Sequence, residues 1–471
     1  MGDPSIARNE VDVIIVGAGL AGLQAALTLS KADPPLNYLI LEARDRIGGK
    51  TLTSTRPDGK GRQDLGAAWI NDTNQSRMWE LAQQFNLSTI TQNTTGDVVV
   101  QDFGGSLKRF EYGSVPTYDS EDDTKDCIRI RDLVESTAQD ASIFEAGAER
   151  TRLDSMSFEQ YIWEQGAGKR ARTTAGIWTH AMLGVDPSEV SALYFLEYCR
   201  CGGGLMTMRS DCKDGGQYLR FHGGTSQFAQ HMSKQLRPSS LQLSSPVAAI
   251  DQQPDGDLIV TVGSSGQTYH ARAVIVSVPT PVYKTIQFTP PLSPRKTVVA
   301  NSTRYGCYTK YIVVFTKPFW REKGCCGLAQ SFIGPVSVTR DTSDDSDNNY
   351  CMTCFIGGTP ARKWSALSKD YKRISVLKQL SDMFNPEEDI NSLFVDAMES
   401  PWLSEQWSGW GCPCPAMAPG MLDEGWDALL APHGNVHFVG TETATVWRGY
   451  MEGAVRSGER GALEVIGHFK M

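Results

Sequence analysis

Residues 11–51 read VDVIIVGAGLAGLQAALTLSKADPPLNYLILEARDRIGGKT, and the rest of the chain is organised around them. Val11 to Val16 is a short, β-branched apolar run suited to a buried strand, and it ends in Gly17, Gly19 and Gly22 at G-x-G-x-x-G spacing. Leu20, Leu23, Ala26, Leu27 and Leu29 then recur at helical spacing, with Ala and Gly where a helix must lie close on a strand. Tyr38 to Leu41 is a second apolar strand, ending in Glu42, 20 residues beyond Gly22. A glycine triplet alone is a weak signal. Framed by strand, helix and acid, it is the arrangement in which N–H groups at a helix start receive a pyrophosphate and a carboxylate accepts ribose hydroxyls. Gly17, Ala18, Gly19, Gly22, Glu42 and Ala43 are therefore candidate dinucleotide-binding residues.

The next residues narrow the dinucleotide. Arg44 and Arg46 offer planar double contacts to phosphate, and Gly48 and Gly49 clear the backbone for a close approach. This E-x-R-x-R-x-G-G run resembles the flavin-dependent amine oxidases, and among them the monoamine oxidases, in a soluble, fungal-type form. The resemblance implies FAD as cofactor, with Arg44, Gly49 and Lys50 in its site. It also implies an α/β, two-domain amine oxidase fold, a Rossmann-like FAD-binding domain interleaved with a mixed α+β substrate domain. The chain is expected to contribute 1–90, 222–299 and 405–471 to the FAD-binding domain, and 91–221 and 300–404 to the substrate domain.

The 471 residues carry a net charge of −9, which argues against nucleic acid as a partner. Eleven cysteines, an odd number, and a beginning MGDPSIARNEV without an apolar core point to reduced thiols in the cytoplasm. The end, His468-Phe-Lys-Met471, bears a faint likeness to a peroxisomal address. No run of 18 apolar residues exists, so no membrane anchor is expected. Cys351 and Cys354 form one C-x-x-C pair with no second pair at zinc spacing, so no metal is expected. A homodimer is the expected assembly.

Further along, Asp64-Leu-Gly66-Ala67-Ala68-Trp69 reads as a turn into a short apolar segment. The resemblance sets Gly66, Ala67, Ala68 and Trp69 along the flavin ring, with Ala67 replacing a second glycine and Lys50 replacing an arginine. Lys50 still neutralises phosphate charge but makes no planar double contact. Residues 91–209 read as a helical region, with segments such as Thr124 to Phe144 and Ser157 to Gln165. Gln217, in Gly215-Gly216-Gln217, matches a glutamine that faces the substrate cavity in the family, and Ser210 falls near a gating position. Ser245 to Ile250 reads as an edge strand, in which the resemblance sets Val247 at the family residue whose backbone holds the adenine. Lys310 lies inside the apolar strand 306–315, where an ammonium is costly unless used, and alternation puts Tyr308, Lys310 and Ile312 on one face. The resemblance implies that Lys310 holds a water against the flavin N5.

The second strong signal is Gly440-Thr-Glu-Thr-Ala-Thr-Val-Trp-Arg-Gly-Tyr-Met-Glu-Gly453, preceded by a strand and followed by a helix from Ala454 to Ile466. It is similar to the amine oxidase signature G-T-E-T-A-T-x-W-x-G-Y-M-E-G. By that likeness Gly440 and Glu442 meet the FAD linker, the helix start at Met451 meets a flavin carbonyl, and Tyr450 is one aromatic wall around the amine. Cys412 aligns with the cysteine that bonds covalently to flavin in monoamine oxidases. Pro413 replaces the tyrosine of the second wall, a role assigned instead to Trp410, with Trp402 and Trp407 as alternatives. A Cys412–Pro413 bond keeps a cis turn at little cost. The implied reaction is FAD-dependent oxidative deamination of primary amines by O2 to aldehyde, ammonia and H2O2, including bulky or long-chain amines. An L-amino-acid or polyamine oxidase of the same fold is an alternative, favoured by an arginine aimed at the flavin face or by acids along the cavity. A non-catalytic, FAD-stabilised binding protein is the other, and Lys310 and Tyr450 argue against it.

Overall fold

Strand Glu10–Val16 forms between Tyr38–Leu41 and Thr268–Val276 and is parallel to both. The computed structural model describes residues 10–263 and 265–470; the expectations for the first nine residues, and for Met471 in the peroxisomal likeness, lie outside them. The central strand is buried on both faces, with Val13, Ile14 and Ile15 at 0% exposure, as its unalternated run of β-branched residues requires. Eight strands make this sheet, in the order Gln287–Thr289, Val247–Gln252, Leu258–Val262, Thr268–Val276, Glu10–Val16, Tyr38–Leu41 and Leu241–Gln242, with Val436–Phe438 also paired to Thr268–Val276. Ser245 to Ile250 is therefore not at an edge: Val247–Gln252 pairs on both sides, and the short strand Gln287–Thr289 takes the edge.

Helix Leu20–Ser30 covers the sheet and packs against the last helix, Met451–Lys470, which starts earlier and ends later than the sequence suggests. The two helices come close because Gly458 has no side chain: a Cβ there would lie 2.1 Å from the Ala21 carbonyl oxygen.

A second sheet of seven strands runs Phe394–Met398, Tyr308–Phe315, Tyr350–Gly357, Val338–Asp341, Cys325–Ser331, Asp97–Gln101 and Leu107–Glu111. Residues 91–209 thus open with two strands of this sheet, and helices begin only at Glu121. The buried triplet Val98 to Val100 carries the strand signal, which the charged residues around it obscure. Helices Glu121–Gln139, Lys169–Leu183 and Ala192–Cys201 follow, and the short helix Phe158–Glu164 starts in a reciprocal cap between Ser157 and Gln160. Cys351 and Cys354 are buried free thiols inside strand Tyr350–Gly357. Among the described residues no cluster of ligands suits a metal ion, and no helix is long and apolar enough to cross a membrane.

Candidate active site

Both sheets contribute walls to one cavity of about 610 Å³, which reaches from the glycine turn after the first strand to the side chains of the second sheet. At the turn, Gly17 holds φ +102°, and a Cβ on it would meet the Ser277 hydroxyl at 2.9 Å. A Cβ on Gly19 would meet no protein atom within 4 Å. It would project into the space that a phosphate needs. Gly22 serves packing instead, since a Cβ there would lie 2.0 Å from the Gly17 carbonyl oxygen and its bareness lets the helix start settle on the turn. Gly22 and Ala18 do not line the cavity. Ala18 is fully buried and its N–H donates to Glu42 Oε2 at 2.7 Å, so these two residues shape the turn rather than face a ligand.

Glu42 and Ala43 line the cavity, and Glu42 Oε1 also accepts from the Arg44 N–H at 2.9 Å, which fixes the carboxylate where it can take a further donor. Arg44 lines the cavity, donates to the Ser408 hydroxyl at 2.7 Å and leaves its buried Nε without a partner. Arg46 instead folds onto the Gly49 carbonyl at 2.9 Å, outside the lining. Gly49, Val247 and Gly440 line the same end, as does Glu442, whose Oε1 accepts from the Thr280 N–H at 2.9 Å and from the Tyr305 hydroxyl at 3.2 Å. Lys50 lines this end of the cavity as well. Its ammonium lies 3.7 Å from the centre of the Tyr305 ring, and desolvation lowers its pKa to about 8, partly opposed by the Glu442 charge.

Farther in, Gly66, Ala67, Ala68 and Trp69 pass along the cavity, and Lys310 faces them from strand Tyr308–Phe315. Its Nζ donates to the carbonyl oxygens of Asp64 and Gly66 and sits 4.7 Å from the Trp69 ring centre. With 7% exposure, desolvation pulls its pKa down to about 8, against the pull of Asp64. Tyr450 and Met451 line the cavity where the last helix begins. The Tyr450 ring is braced edge-on by Trp447 at 4.8 Å, and its hydroxyl lies 3.5 Å from the Met208 carbonyl oxygen. The same carbonyl accepts from Gln217 Nε2 at 2.8 Å, leaving Gln217 Oε1 buried with no donor. Ser210 lines the wall nearby.

Cys412 also lines the cavity, its thiol 3.3 Å from the Tyr308 carbonyl oxygen, and the Cys412–Pro413 peptide is cis. Burial raises the thiol pKa to about 12, with Lys50 and then Lys310 pulling the other way. Trp410 does not fill the place left by Pro413. It sits in a left-handed turn at φ +56°, covered by the Lys284 ammonium 4.8 Å from its ring centre, and does not line the cavity. Tyr308, Phe355, Trp402 and Trp407 do line it. Tyr308 has the best claim to the second wall, because it shares a strand face with Lys310 and its ring packs 5.7 Å from Phe355. Arg209 and Arg340 also line the cavity, and nothing in their sequence neighbourhoods marks them.

A bare glycine turn, a fixed carboxylate at the ribose position, an unsatisfied buried arginine nitrogen and an enclosed apolar inner wall fit FAD. The match to known proteins is of the same kind. The model of the family described as "Flavin containing amine oxidoreductase" matches residues 20–466. The chain belongs to that family. It is 32% identical to a flavin-containing amine oxidase of Oncorhynchus mykiss over 464 residues, 98% of this chain and 86% of the relative. It is 31% identical to the human flavin-containing amine oxidase B over 464 residues, 97% of this chain and 86% of that one. Among solved structures, putrescine oxidase bound to putrescine aligns with a TM-score of 0.89 at 27% identity, covering 97% and 99% of the two chains. Cyclohexylamine oxidase from Brevibacterium oxydans IH-35A aligns with a TM-score of 0.89 at 26% identity, covering 98% and 100%. This amine oxidase has the two-domain fold of those enzymes and performs FAD-dependent oxidation of amines.

Proposed function

We propose that this amine oxidase acts as a monoamine oxidase on primary amines, with a cavity wide enough for long or bulky chains. The observation that carries the reading is the meeting of Lys310, Tyr450, Tyr308 and the unpartnered Gln217 Oε1 around one cavity. The chemistry supplied by bound FAD is two-electron oxidation of the amine to an imine, with O2 as final acceptor giving H2O2 and water hydrolysing the imine to aldehyde and ammonia.

Gly17, Gly19, Gly49, Glu42, Arg44, Val247, Gly440, Glu442 and Met451 would hold the cofactor. The rest of the work is positioning and dryness. Gln217 Oε1 takes an N–H of the entering amine, which orients the nitrogen lone pair. The faces of Tyr450 and Tyr308 attract an ammonium and then guide the neutral amine, an effect of about 0.5–2 kcal/mol. Ile177, Val338 and Phe355 are each under 9% exposed and exclude water from the inner wall. Lys310, anchored by two backbone carbonyls, presents a proton close to the reacting centre. The test is anaerobic addition of hexylamine, benzylamine and putrescine: bleaching of the flavin by the first two, faster than by putrescine, is the expected outcome, and bleaching by putrescine alone would overturn the monoamine reading.

We also propose a covalent link from Cys412 Sγ to the flavin 8α carbon, for which the thiol S–H and one 8α C–H would be lost as protons and the two electrons would pass through the flavin to O2. Its place on the cavity wall supports this, as do the charges of Lys50 and Lys310, which favour the thiolate that burial disfavours. After acid precipitation the yellow colour is expected in the pellet, and in the supernatant for Cys412→Ala; colour wholly in the wild-type supernatant rejects the link.

A further inference from the structure

The substrate half of the cavity is unusually rich in guanidinium groups. Three arginines line it, and two of them have acidic partners. Arg131 pairs with Asp132 at 2.7 Å toward the surface, and Arg340 Nε donates at 2.7 Å to Asp211, a carboxylate only 1% exposed. Arg209 has no acidic partner within ion-pair distance among the described residues; its guanidinium lies 5.4 Å from the Trp178 ring centre. Burial depresses its pKa to about 10, and Arg340, the next largest influence, pushes the same way, opposed more weakly by Tyr112, Cys199 and Asp211. A half-buried cation that lines a ligand cavity with no acid paired to it is open to an anionic group of the ligand.

The two arginines hold different positions. Arg340 is the guanidinium whose charge bears on Lys310 and Tyr450, the reacting end, and it is already neutralised by Asp211. Arg209 is at the end of helix Leu205–Arg209, turns to Trp178 on helix Lys169–Leu183, and is not among the leading charges felt by Lys310 or Tyr450. The acids on the cavity wall, Glu42 and Glu442, are both at the cofactor end. A diamine would thus bring its second ammonium to the positive wall, whereas an anion there completes the missing pair.

Resting on the monoamine reading above, we propose that the preferred substrates are primary amines carrying an anionic group, such as a carboxylate, away from the reacting nitrogen, and that Arg209 is the specificity-determining residue that receives it. An Arg–carboxylate contact made in an enclosed site is worth roughly 10- to 100-fold in affinity.

The test uses flavin-loaded enzyme and three measurements. First, kcat/KM is compared for 6-aminohexanoate, hexylamine and L-norleucine. The expected order puts 6-aminohexanoate first; preference for hexylamine, or for norleucine with its carboxylate beside the amine, would overturn the proposal. Second, the ratio of kcat/KM for 6-aminohexanoate over hexylamine is expected to fall roughly 10- to 100-fold in Arg209→Gln and to recover in part in Arg209→Lys; an unchanged ratio would overturn it. Third, hexanoate is titrated against the flavin absorption band without turnover. Saturable perturbation by hexanoate, weakened in Arg209→Gln, supports the anion site even if no amine bleaches the flavin, a result that would sink the monoamine reading alone. No perturbation of the wild type would sink the anion site alone, with bleaching by hexylamine still upholding the monoamine reading.

Discussion

A lysine in the middle of a β-strand is an expense that Lys310 offsets only partly, through two carbonyl oxygens and the face of Trp69. On the proposed function, what it offers in return is a cation in a dry site, where O2 would gain negative charge. Preorganised donors in such sites are worth about 10²- to 10³-fold in rate. Because its pKa is about 8, the ammonium is present below that pH and lost above it. The rate of reoxidation by O2 should therefore fall as pH rises through about 8, and in Lys310→Met it should be about 10²-fold slower and flat with pH. Stopped-flow reoxidation of reduced enzyme reads this without the substrate's own titration. A pH-independent wild type would remove Lys310 from the oxygen step.

The turn between strand Glu10–Val16 and helix Leu20–Ser30 separates two uses of glycine that the motif alone lumps together. Gly22→Ala drives a methyl into the Gly17 carbonyl, so it should lower thermal stability by at least the ~1–3 kcal/mol typical of overpacking and lose flavin with it. Gly19→Ala meets no protein atom, so the apoprotein should melt as wild type while the purified enzyme carries little flavin. Absorbance ratios and melting curves check both, and full flavin content in Gly19→Ala would show that the phosphate passes elsewhere. This element was legible in the sequence because its signals are local: a β-branched run, a glycine spacing and an acid 20 residues on. Lys310 was legible too, as a charge inside an apolar run. The second aromatic wall was not. Replacing one residue of a pair leaves its substitute to tertiary packing, and Trp410, near in sequence, is turned away by a left-handed backbone. Strand Val247–Gln252 was read as an edge because a short later strand, Gln287–Thr289, supplies the real edge from beyond the local pattern. Arg209 and Arg340 reach one cavity from different elements, which no local periodicity reports.

Between about pH 7 and 10, two buried populations of opposite sign act on the stability of the molecule. Burial lowers the pKa of Lys50 and Lys310 to about 8 and that of Lys296 to about 7, whereas an unfolded lysine titrates near 10.5. Between those values the unfolded chain binds more protons than the folded one, so the lysines make stability rise with pH. The buried thiols act the other way. Cys351, Cys412 and Cys414 are raised to about 12 and Cys127 and Cys326 to about 11, from an ordinary 9. Above about pH 9 the unfolded thiols shed protons that the folded ones keep, and stability falls. Five thiols outweigh three lysines there, so the melting temperature should peak between about pH 8 and 9 and drop beyond. Lys296 isolates the lysine limb, because it lies outside the cofactor cavity, with its ammonium 3.0 Å from the Leu429 carbonyl oxygen and 3.8 Å from the Phe438 ring centre. Its stabilising share is complete above about pH 10.5 and is lost as pH falls through about 7, where the enclosed charge must be carried in full. Lys296→Met removes that charge while keeping the chain's bulk. Its melting temperature relative to wild type should therefore be highest at about pH 6, shrink by about pH 7.5 and be least favourable at about pH 9, where the lost hydrogen bond to Leu429 remains. Parallel curves for the two proteins across that range would show that Lys296 titrates as it does in the unfolded chain.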